Sequence, residues 1–296
     1  MRRFLLALVL LLAVLVGAAW YVTGRLDHTP VTDAVHMLSG VGGNVGVLLT
    51  SEGVVVVDSM MLTRQGNAIR ARVRELTPQP VVAVLNTHYH FDHTHGNPAF
   101  PMGTKVVATT RTLQHLRDLD AAYWAERPAK DLLPNDTFDT TKEIRLGGKT
   151  VRALALGRGH TDGDMVVLFV EDRVLHAGDL FFNGHFPNID LEAGGSVKEW
   201  AGTLDKVLAL PFDKVIPGHG PLASRVALQR FRDCMATLWT ETARVHDRGG
   251  TLDDAVSLVD LEACALRPLW FAPNLNRGFV IRRTWEEVTR PGAPRG

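Results

Sequence analysis

The sequence predicts an α/β fold, specifically a four-layer αββα sandwich in which helices cover two β-sheets. Two groups of short apolar strands, within residues 45–108 and 143–216, supply the sheets. Segments whose apolar residues recur at helical spacing lie between and after these strands. A histidine-rich loop directly follows one strand, in the position where α/β proteins commonly place their chemistry.

The first group opens with a hairpin, because glycine-rich turns separate two apolar runs that end at Asp58. Pro78 ends the helix that follows the hairpin. The elements predicted here are strands 45–50, 54–57, 81–85 and 105–108, helices 63–77 and 112–124, and a surface loop at 126–141.

The second group alternates less with helices and ends in a helical region. Ser196 and Glu199 form a capping-box pattern that opens one helix, and Thr251 suits the N-cap of another. The predicted elements are strands 143–146, 150–156, 165–170, 173–176 and 213–216, and helices 196–210, 222–247, 251–265 and 277–288.

Composition is that of an ordinary globular protein, with 46% hydrophobic and 22% charged residues in a chain of 296. Lys plus Arg and Asp plus Glu both number 32, so the formal net charge is zero. Since the sequence also has no basic patch, we expect no nucleic-acid partner.

The first residues have the pattern of an export signal. Met1-Arg2-Arg3 precedes an apolar stretch reaching Val22, which is long enough to span a bilayer, and Gly17-Ala18-Ala19 suits cleavage. We therefore expect residues 1–22 to be a signal peptide or a membrane anchor, with a periplasmic or inner-membrane-anchored product. Residues 23–39 are predicted to be a polar tether, and 40–296 a single catalytic domain with a helical C-terminal part.

The two cysteines, Cys234 and Cys264, both lie in predicted helices. Small buried side chains are the ordinary interpretation there, but an exported protein can also join them. The sequence leaves the pairing open. Because neither cysteine is close to a histidine motif, neither is expected to bind metal.

The loop after strand 81–85 concentrates potential metal ligands. Four imidazoles and one carboxylate occur within eight residues, as His88, His90, Asp92, His93 and His95. Neutral imidazole and carboxylate are the ligands of zinc and its neighbours. Burying so many polar groups without a partner would be costly, so their crowding indicates a metal site.

Three later loops each carry one more potential ligand after an apolar run: His160, Asp179 and His219. A glycine lies beside each of them, and glycine lets the backbone bend sharply and approach a ligand closely.

The pattern His88-x-His90-x-Asp92-His93, followed by His160, Asp179 and His219, resembles the metallo-β-lactamase superfamily over about residues 35–225. The resemblance implies an αββα sandwich of two mixed sheets with the site at one edge between them. It also implies that Asp58 orients the site without binding metal.

The resemblance further implies two zinc ions. His88, His90 and His160 would hold one, and Asp92, His93 and His219 the other, with Asp179 bridging both or binding the second. His95 stands where the relatives usually have glycine, and we expect it to support the ligands without binding metal. Iron or manganese could replace zinc, because the same side chains bind them.

This arrangement predicts a hydrolase. Two metals about 3.5–4 Å apart can share one hydroxide, and Asp92 can also transfer a proton. We expect cleavage of an ester, lactone, thioester or amide bond in a small molecule, with β-lactams among the candidates. Two different functions compete with this one: that of an iron-containing, persulfide-oxidising relative, and that of a metal-binding accessory protein without turnover.

Asn183 and His185 follow the Asp179 loop and are weaker candidates for contacting substrate. Core packing is the competing interpretation for the neighbouring phenylalanines. Residues 269–274 are predicted to fold over the opening. Alkylsulfatase-like members of the superfamily are much longer than this chain, which argues against that activity. The oligomeric state and the physiological substrate stay open.

Overall fold

A computed structural model describes residue 17 and residues 23–290. Apart from residue 17, the predicted signal peptide or anchor at 1–22 lies outside the described residues. Within the described part of the chain, no helix is both long enough and apolar enough to span a bilayer.

The first sheet has seven strands that follow chain order from β1 to β7. Pairing is antiparallel from β1 to β4 and parallel from β4 to β7, so the sheet is mixed. Both faces of β4 are covered, which explains its unbroken run of four valines. The strands are β1 (Asp27–Pro30), β2 (Val35–Ser39), β3 (Val45–Leu49), β4 (Val54–Val57), β5 (Val81–Leu85), β6 (Lys105–Thr109) and β7 (Asp136–Phe138).

Two segments predicted to lack regular structure contribute strands to this sheet. The prediction of a tether at 23–39 is wrong, because β1 and β2 form a hairpin there that buries Val35 and Met37. The predicted surface loop at 126–141 contains β7. Both segments are short and carry polar residues, so their pairing partners decide their structure more than their own pattern does.

The second sheet has six strands in the order β13-β12-β11-β10-β9-β8. It is antiparallel except between β11 and β12. The strands are β8 (Thr141–Leu146), β9 (Lys149–Leu154), β10 (Val166–Phe169), β11 (Val174–His176), β12 (Lys214–Ile216) and β13 (Ala223–Ser224).

The helices are α1 (Thr63–Leu76), α2 (Phe91–Thr94), α3 (Thr110–Asp118), α4 (Ala121–Trp124), α5 (Val197–Leu208), α6 (Arg225–Asp247), α7 (Leu252–Leu258) and α8 (Arg277–Thr289). The predicted helix 112–124 is divided into α3 and α4. The predicted helix 251–265 ends at Leu258, and a 3₁₀ turn follows at Glu262–Cys264.

Three apolar clusters confirm the predicted four layers. One joins the two sheets and includes Val55 and Phe169. Another lies between the first sheet and α1, where Ile69 is buried, and a third lies between the second sheet and α5, where Trp200 is buried. Each sheet thus covers one face with its partner sheet and the other with helices.

Cys234 of α6 and Cys264 of the 3₁₀ turn form a disulfide, with Cα atoms 5.7 Å apart and a sequence separation of 30. The structure thereby decides a pairing that the sequence leaves open. The bond fixes the chain to α6 directly before residues 266–275, which enter the site described below.

Replacing both cysteines by alanine should lower the free energy of unfolding by about 2–4 kcal/mol, because without the bond no closed loop restricts the unfolded chain. Urea denaturation of the two proteins measures the difference. Two free thiols in the unfolded, unreduced protein would contradict the bond.

Candidate metal centre

The structure brings together all seven predicted ligands in two adjacent groups. His88 and His90 lie in the loop after β5, and Asp92 and His93 lie in α2, which directly continues that loop. The other three ligands arrive one per segment: His160 after β9, Asp179 in the 3₁₀ turn Gly178–Leu180 after β11, and His219 after β12.

The first group comprises His88, His90, His160 and Asp179, with donor atoms all within 4.8 Å of one another. His90 Nδ1 lies 2.7 Å from His160 Nε2. Asp179 Oδ2 lies 3.8 Å from His88 Nε2 and 3.6 Å from His160 Nε2.

The second group comprises Asp92, His93 and His219, whose donor atoms also lie within 4.8 Å of one another. Here the other oxygen of Asp179, Oδ1, is 3.1 Å from His93 Nε2 and 3.4 Å from His219 Nε2. Asp179 therefore presents one oxygen to each group, which is the arrangement of a bridging carboxylate.

The outer nitrogens of four imidazoles are already occupied by the protein, so their inner nitrogens are left to face the centre. His88 Nε2 is buried without a hydrogen-bond partner. Such a buried, unsatisfied atom is costly unless something binds it, and the donor set fits a pair of divalent metal ions. The outer contacts are His88 Nδ1 with Thr87 Oγ1 at 3.1 Å, His90 Nε2 with Asp190 at 2.9 Å, His93 Nδ1 with Asp58 at 2.8 Å and His160 Nδ1 with the Asn188 carbonyl at 3.0 Å.

Asp58 lies beside His93 of the second group. It is fully buried and accepts hydrogen bonds of 2.8 Å from both the backbone N–H and the hydroxyl of Thr87. Thr87 in turn contacts His88, so Asp58 touches the imidazole of His93 directly and supports that of His88 through one residue.

Burial and neighbouring charges divide the histidines by pKa. Burial, aided by His90, lowers the pKa of His160 to about 4. Burial alone would also lower the pKa of His219, but Asp179 and Asp92 outweigh it and raise that pKa to about 9. The pKa of His93 is raised well above its usual value by Asp179 and Asp58, which likewise outweigh burial.

Two glycines make the close approach of the loops feasible. A Cβ at Gly218 would lie 2.0 Å from Asp179 Oδ1, and a Cβ at Gly43 would lie 2.3 Å from the Cε1 atom of His93. Any other residue would displace a ligand, as the glycine beside His219 suggested.

His95 belongs to neither group. Its Nε2 lies 2.7 Å from Asp120, and its ring stacks on Tyr123 with centroids 3.4 Å apart. His95 therefore links α2 to α4 near the site.

The two weaker candidates lie farther out. Asn183 donates its side-chain N–H to the Pro221 carbonyl at 2.9 Å and its backbone N–H to the His219 carbonyl at 2.9 Å, and it lines a separate cavity beside the disulfide. His185 lies 3.3 Å from the Arg267 carbonyl and lines a cavity that reaches His219.

Asp190 is a site residue that sequence reasoning missed. Its Oδ2 accepts from Tyr89 at 2.5 Å and lies 2.9 Å from His90 Nε2, while its Oδ1 accepts from the Ala193 N–H at 3.0 Å. A carboxylate on the outer nitrogen of a ligating histidine fixes the ring and its tautomer. No signal in the sequence marked it, because its partner lies 100 residues away.

A cavity of about 340 Å³ opens onto the centre. His90, Asp92, Asp179 and His219 form its floor. Leu269, Phe271 and Ala272 line it from the C-terminal region, so the prediction that residues 269–274 fold over the opening is confirmed.

Comparison with known proteins agrees with this geometry. The family model described as the metallo-beta-lactamase superfamily matches residues 38–219. The chain is 25% identical over 256 residues to a linear primary-alkylsulfatase of Pseudomonas sp., covering 71% of this chain and 48% of that enzyme. It is 30% identical over 177 residues to the metallo-beta-lactamase IND-1 of Chryseobacterium indologenes, covering 58% and 69%.

Among solved structures, a stereoselective inverting sec-alkylsulfatase from Pseudomonas sp. superimposes with a TM-score of 0.71 at 17% identity, covering 90% of this chain and 50% of that one. At this identity the likeness shows the fold. The chain thus spans about half the length of each of these alkylsulfatases.

Replacing Asp190 by asparagine should weaken metal binding about 10–100-fold, because the amide no longer holds the His90 ring as a carboxylate does. Competition with a chelating dye measures the affinity. Asp172→Asn is the matched control, since the side chain of Asp172 is 8% exposed, is bonded to Thr32 and Lys149 and belongs to neither group. Equal affinity in the two variants would contradict the role of Asp190.

Metal binding by the second group should release protons. In the metal-free protein His219 stays protonated up to about pH 9, and a ligating imidazole must be neutral. Affinity should therefore rise about tenfold per pH unit for each proton released as pH increases from 7 towards 9. His160, with a pKa of about 4, should release none in this range. Titration calorimetry in two buffers of different ionisation enthalpy counts the protons, and a count of zero would contradict the assignment.

Proposed function

This chain belongs to the metallo-beta-lactamase superfamily, and from that membership we propose that it is an exported two-metal hydrolase acting on a small molecule. The bond cleaved is an ester, lactone, thioester or amide, and a β-lactam is one form of the last. Its relatives include metallo-beta-lactamases and an alkylsulfatase.

The observation that carries the proposal is the position of Asp179, whose two oxygens face different histidine groups. His88, His90 and His160 would hold one ion, Asp92, His93 and His219 the other, and Asp179 both. When bound, such a pair supplies the Lewis acidity that polarises a scissile bond and lowers the pKa of a nucleophilic water to about 7. Zinc suits this nitrogen and oxygen donor set, which iron and manganese can also use.

Asp92 is the carboxylate best placed to move a proton. Burial would raise its pKa, but His93 and His219 outweigh burial and lower the pKa to about 2, so it is ionised at neutral pH. Unlike Asp58, which the protein encloses, Asp92 lines the cavity that opens onto the centre. It therefore combines metal binding with access to a substrate's leaving group.

A sulfate ester is the second candidate substrate. The similarity to a linear primary-alkylsulfatase extends over 71% of this chain, although the chain spans only 48% of that enzyme. The difference in length distinguishes this chain from the whole alkylsulfatase and not from the part that it matches. Sulfate esters are therefore included among the substrates to be tested. Two other functions use the same ligands: that of a mononuclear-iron, persulfide-oxidising enzyme and that of a metal-binding accessory protein without turnover. Metal content and turnover distinguish both from the hydrolase.

Export is supported by two independent features. The first residues have the charge and hydropathy of a signal peptide or anchor. The Cys234–Cys264 disulfide suits an oxidising compartment. We propose a periplasmic enzyme, or one anchored to the inner membrane, that acts on a small molecule.

Elemental analysis of the purified protein should find about two divalent ions per chain, and iron near one would favour the persulfide-oxidising enzyme. A chromogenic cephalosporin, a lactone, a thioester, a carboxylic ester and an alkyl sulfate, assayed side by side, rank the bond types. The proposal fails if the metal-loaded protein hydrolyses none of them.

His88→Ala and Asp92→Ala should each lower hydrolysis at least about 100-fold, because each removes one donor from one group. His95→Ala is the matched control within the same loop, since His95 contacts Asp120 and Tyr123 and belongs to neither group. Circular dichroism verifies that the variants fold. If His95→Ala loses as much activity as the other two, the division into ligands and non-ligands is wrong.

A further inference from the structure

The cavity above the metal donors has apolar walls. Apart from Asn188, every residue that lines it and is not a proposed ligand is apolar. Its volume of about 340 Å³ lies within the usual range for small-molecule sites. Six of the apolar lining residues are Val41, Met61, Phe91, Phe271, Ala272 and Leu275.

No lysine or arginine of the described chain lines this cavity, and its charged groups are the carboxylates and imidazoles assigned to the metals. A charge on the substrate away from the reacting bond would therefore be buried against hydrocarbon without a counter-ion. Such burial is unfavourable, whereas an uncharged apolar group gains from leaving water.

The rim of the opening is also apolar. In residues 23–290 the large aromatic side chains that are mostly exposed are Phe91, at 51%, and Trp270, at 71%. Phe91 lines this cavity, and Trp270 lines an adjoining one. Each of the two cavities thus has one exposed aromatic side chain in its lining.

The wall is held in place before any substrate arrives. Residues 266–275, which we call the strap, supply Leu269, Phe271, Ala272 and Leu275 to the cavity. The disulfide at Cys264 fixes the chain before the strap, and Arg267 pairs with His185 as an isolated β-bridge. Beyond the strap, Arg277 donates to the carbonyls of Val256 and Val259.

The adjoining cavity, of about 440 Å³, is lined by several polar residues that are not proposed ligands. It shares His219 and Phe271 with the first cavity and adds Ser39 and Asn44. Its Arg25 lies 3.7 Å from Asp27, so that cation already has a carboxylate neighbour. A substrate that occupies both cavities would have one apolar and one polar end.

We infer that the substrate is an ester or thioester with an uncharged, medium-length apolar acyl group, which lies between the strap and Phe91 while the polar part extends past His219. This inference rests on the hydrolase function proposed above and deepens it by naming the substrate class. It also predicts poor hydrolysis of β-lactams whose carboxylate would enter the apolar cavity.

The test uses p-nitrophenyl esters with acyl chains of two, four, six and eight carbons, and an eight-carbon ester that ends in a carboxylate. The kcat/KM value should rise about threefold per methylene until the cavity is filled. The carboxylate-ended ester should be at least about tenfold poorer than its neutral counterpart. A flat profile, or preference for the charged ester, overturns the inference and leaves the hydrolase function intact.

Leu275→Arg places a cation in the wall and should reverse the preference, lowering kcat/KM for the neutral eight-carbon ester about tenfold and raising it for the charged one. Leu258→Arg is the matched control, because Leu258 is 64% exposed and lines neither cavity. Equal effects of the two substitutions overturn the inference. If Leu275→Arg does not fold, Phe91→Ala replaces it, and this variant must lower hydrolysis of the eight-carbon ester more than that of the two-carbon ester.

Absence of any hydrolysis would defeat the proposed function and not yet the inference about the cavity. Binding of octan-1-ol and of ethanol, measured by saturation-transfer NMR on the metal-loaded protein, then decides whether the cavity is an apolar binding site. Binding of octan-1-ol that Leu275→Arg abolishes supports the apolar site, and absence of binding overturns it.

Discussion

A buried carboxylate needs compensation, and in this protein the compensation of Asp179 organises the loops around it. Its side chain is 3% exposed, and its two oxygens lie 3.1–3.8 Å from the inner nitrogens of four histidines. Without those partners, burial of the charge would cost several kcal/mol. The histidines come from three separate loops, so the folded state of each loop depends on the presence of the others.

The sandwich provides the rigidity that such convergence requires. β11 and β12 are parallel neighbours, so the loops that follow them, which carry Asp179 and His219, leave the sheet side by side. Gly218 lets the two loops touch, since its missing side chain leaves room for an Asp179 oxygen. In the other sheet, Asp58 at the end of β4 holds the loop after β5. The pairing of the strands thus sets the positions of the loops that carry the ligands.

The chain combines a strongly polar floor with apolar walls, and this contrast links the metal centre to substrate choice. The floor contains ionised carboxylates and imidazoles, which suit reacting groups. Half of the apolar lining residues come from the strap, which the disulfide and Arg277 fix to the helical layer. The other half includes Phe91, which lies between the ligands His90 and Asp92, so the segments that contact substrate and those that carry the ligands overlap in the chain.

The sequence by itself determined the fold class, most strand and helix positions and all seven proposed ligands, because ligand chemistry depends on residue type and strands on local apolar runs. Only the tertiary structure decided that 23–39 forms a hairpin, that Cys234 and Cys264 pair, and that Asp190 supports His90. The physical reason is distance along the chain. His90 meets His160 over 70 residues, and His93 meets His219 over 126, so no local pattern records which nitrogen or oxygen faces the centre.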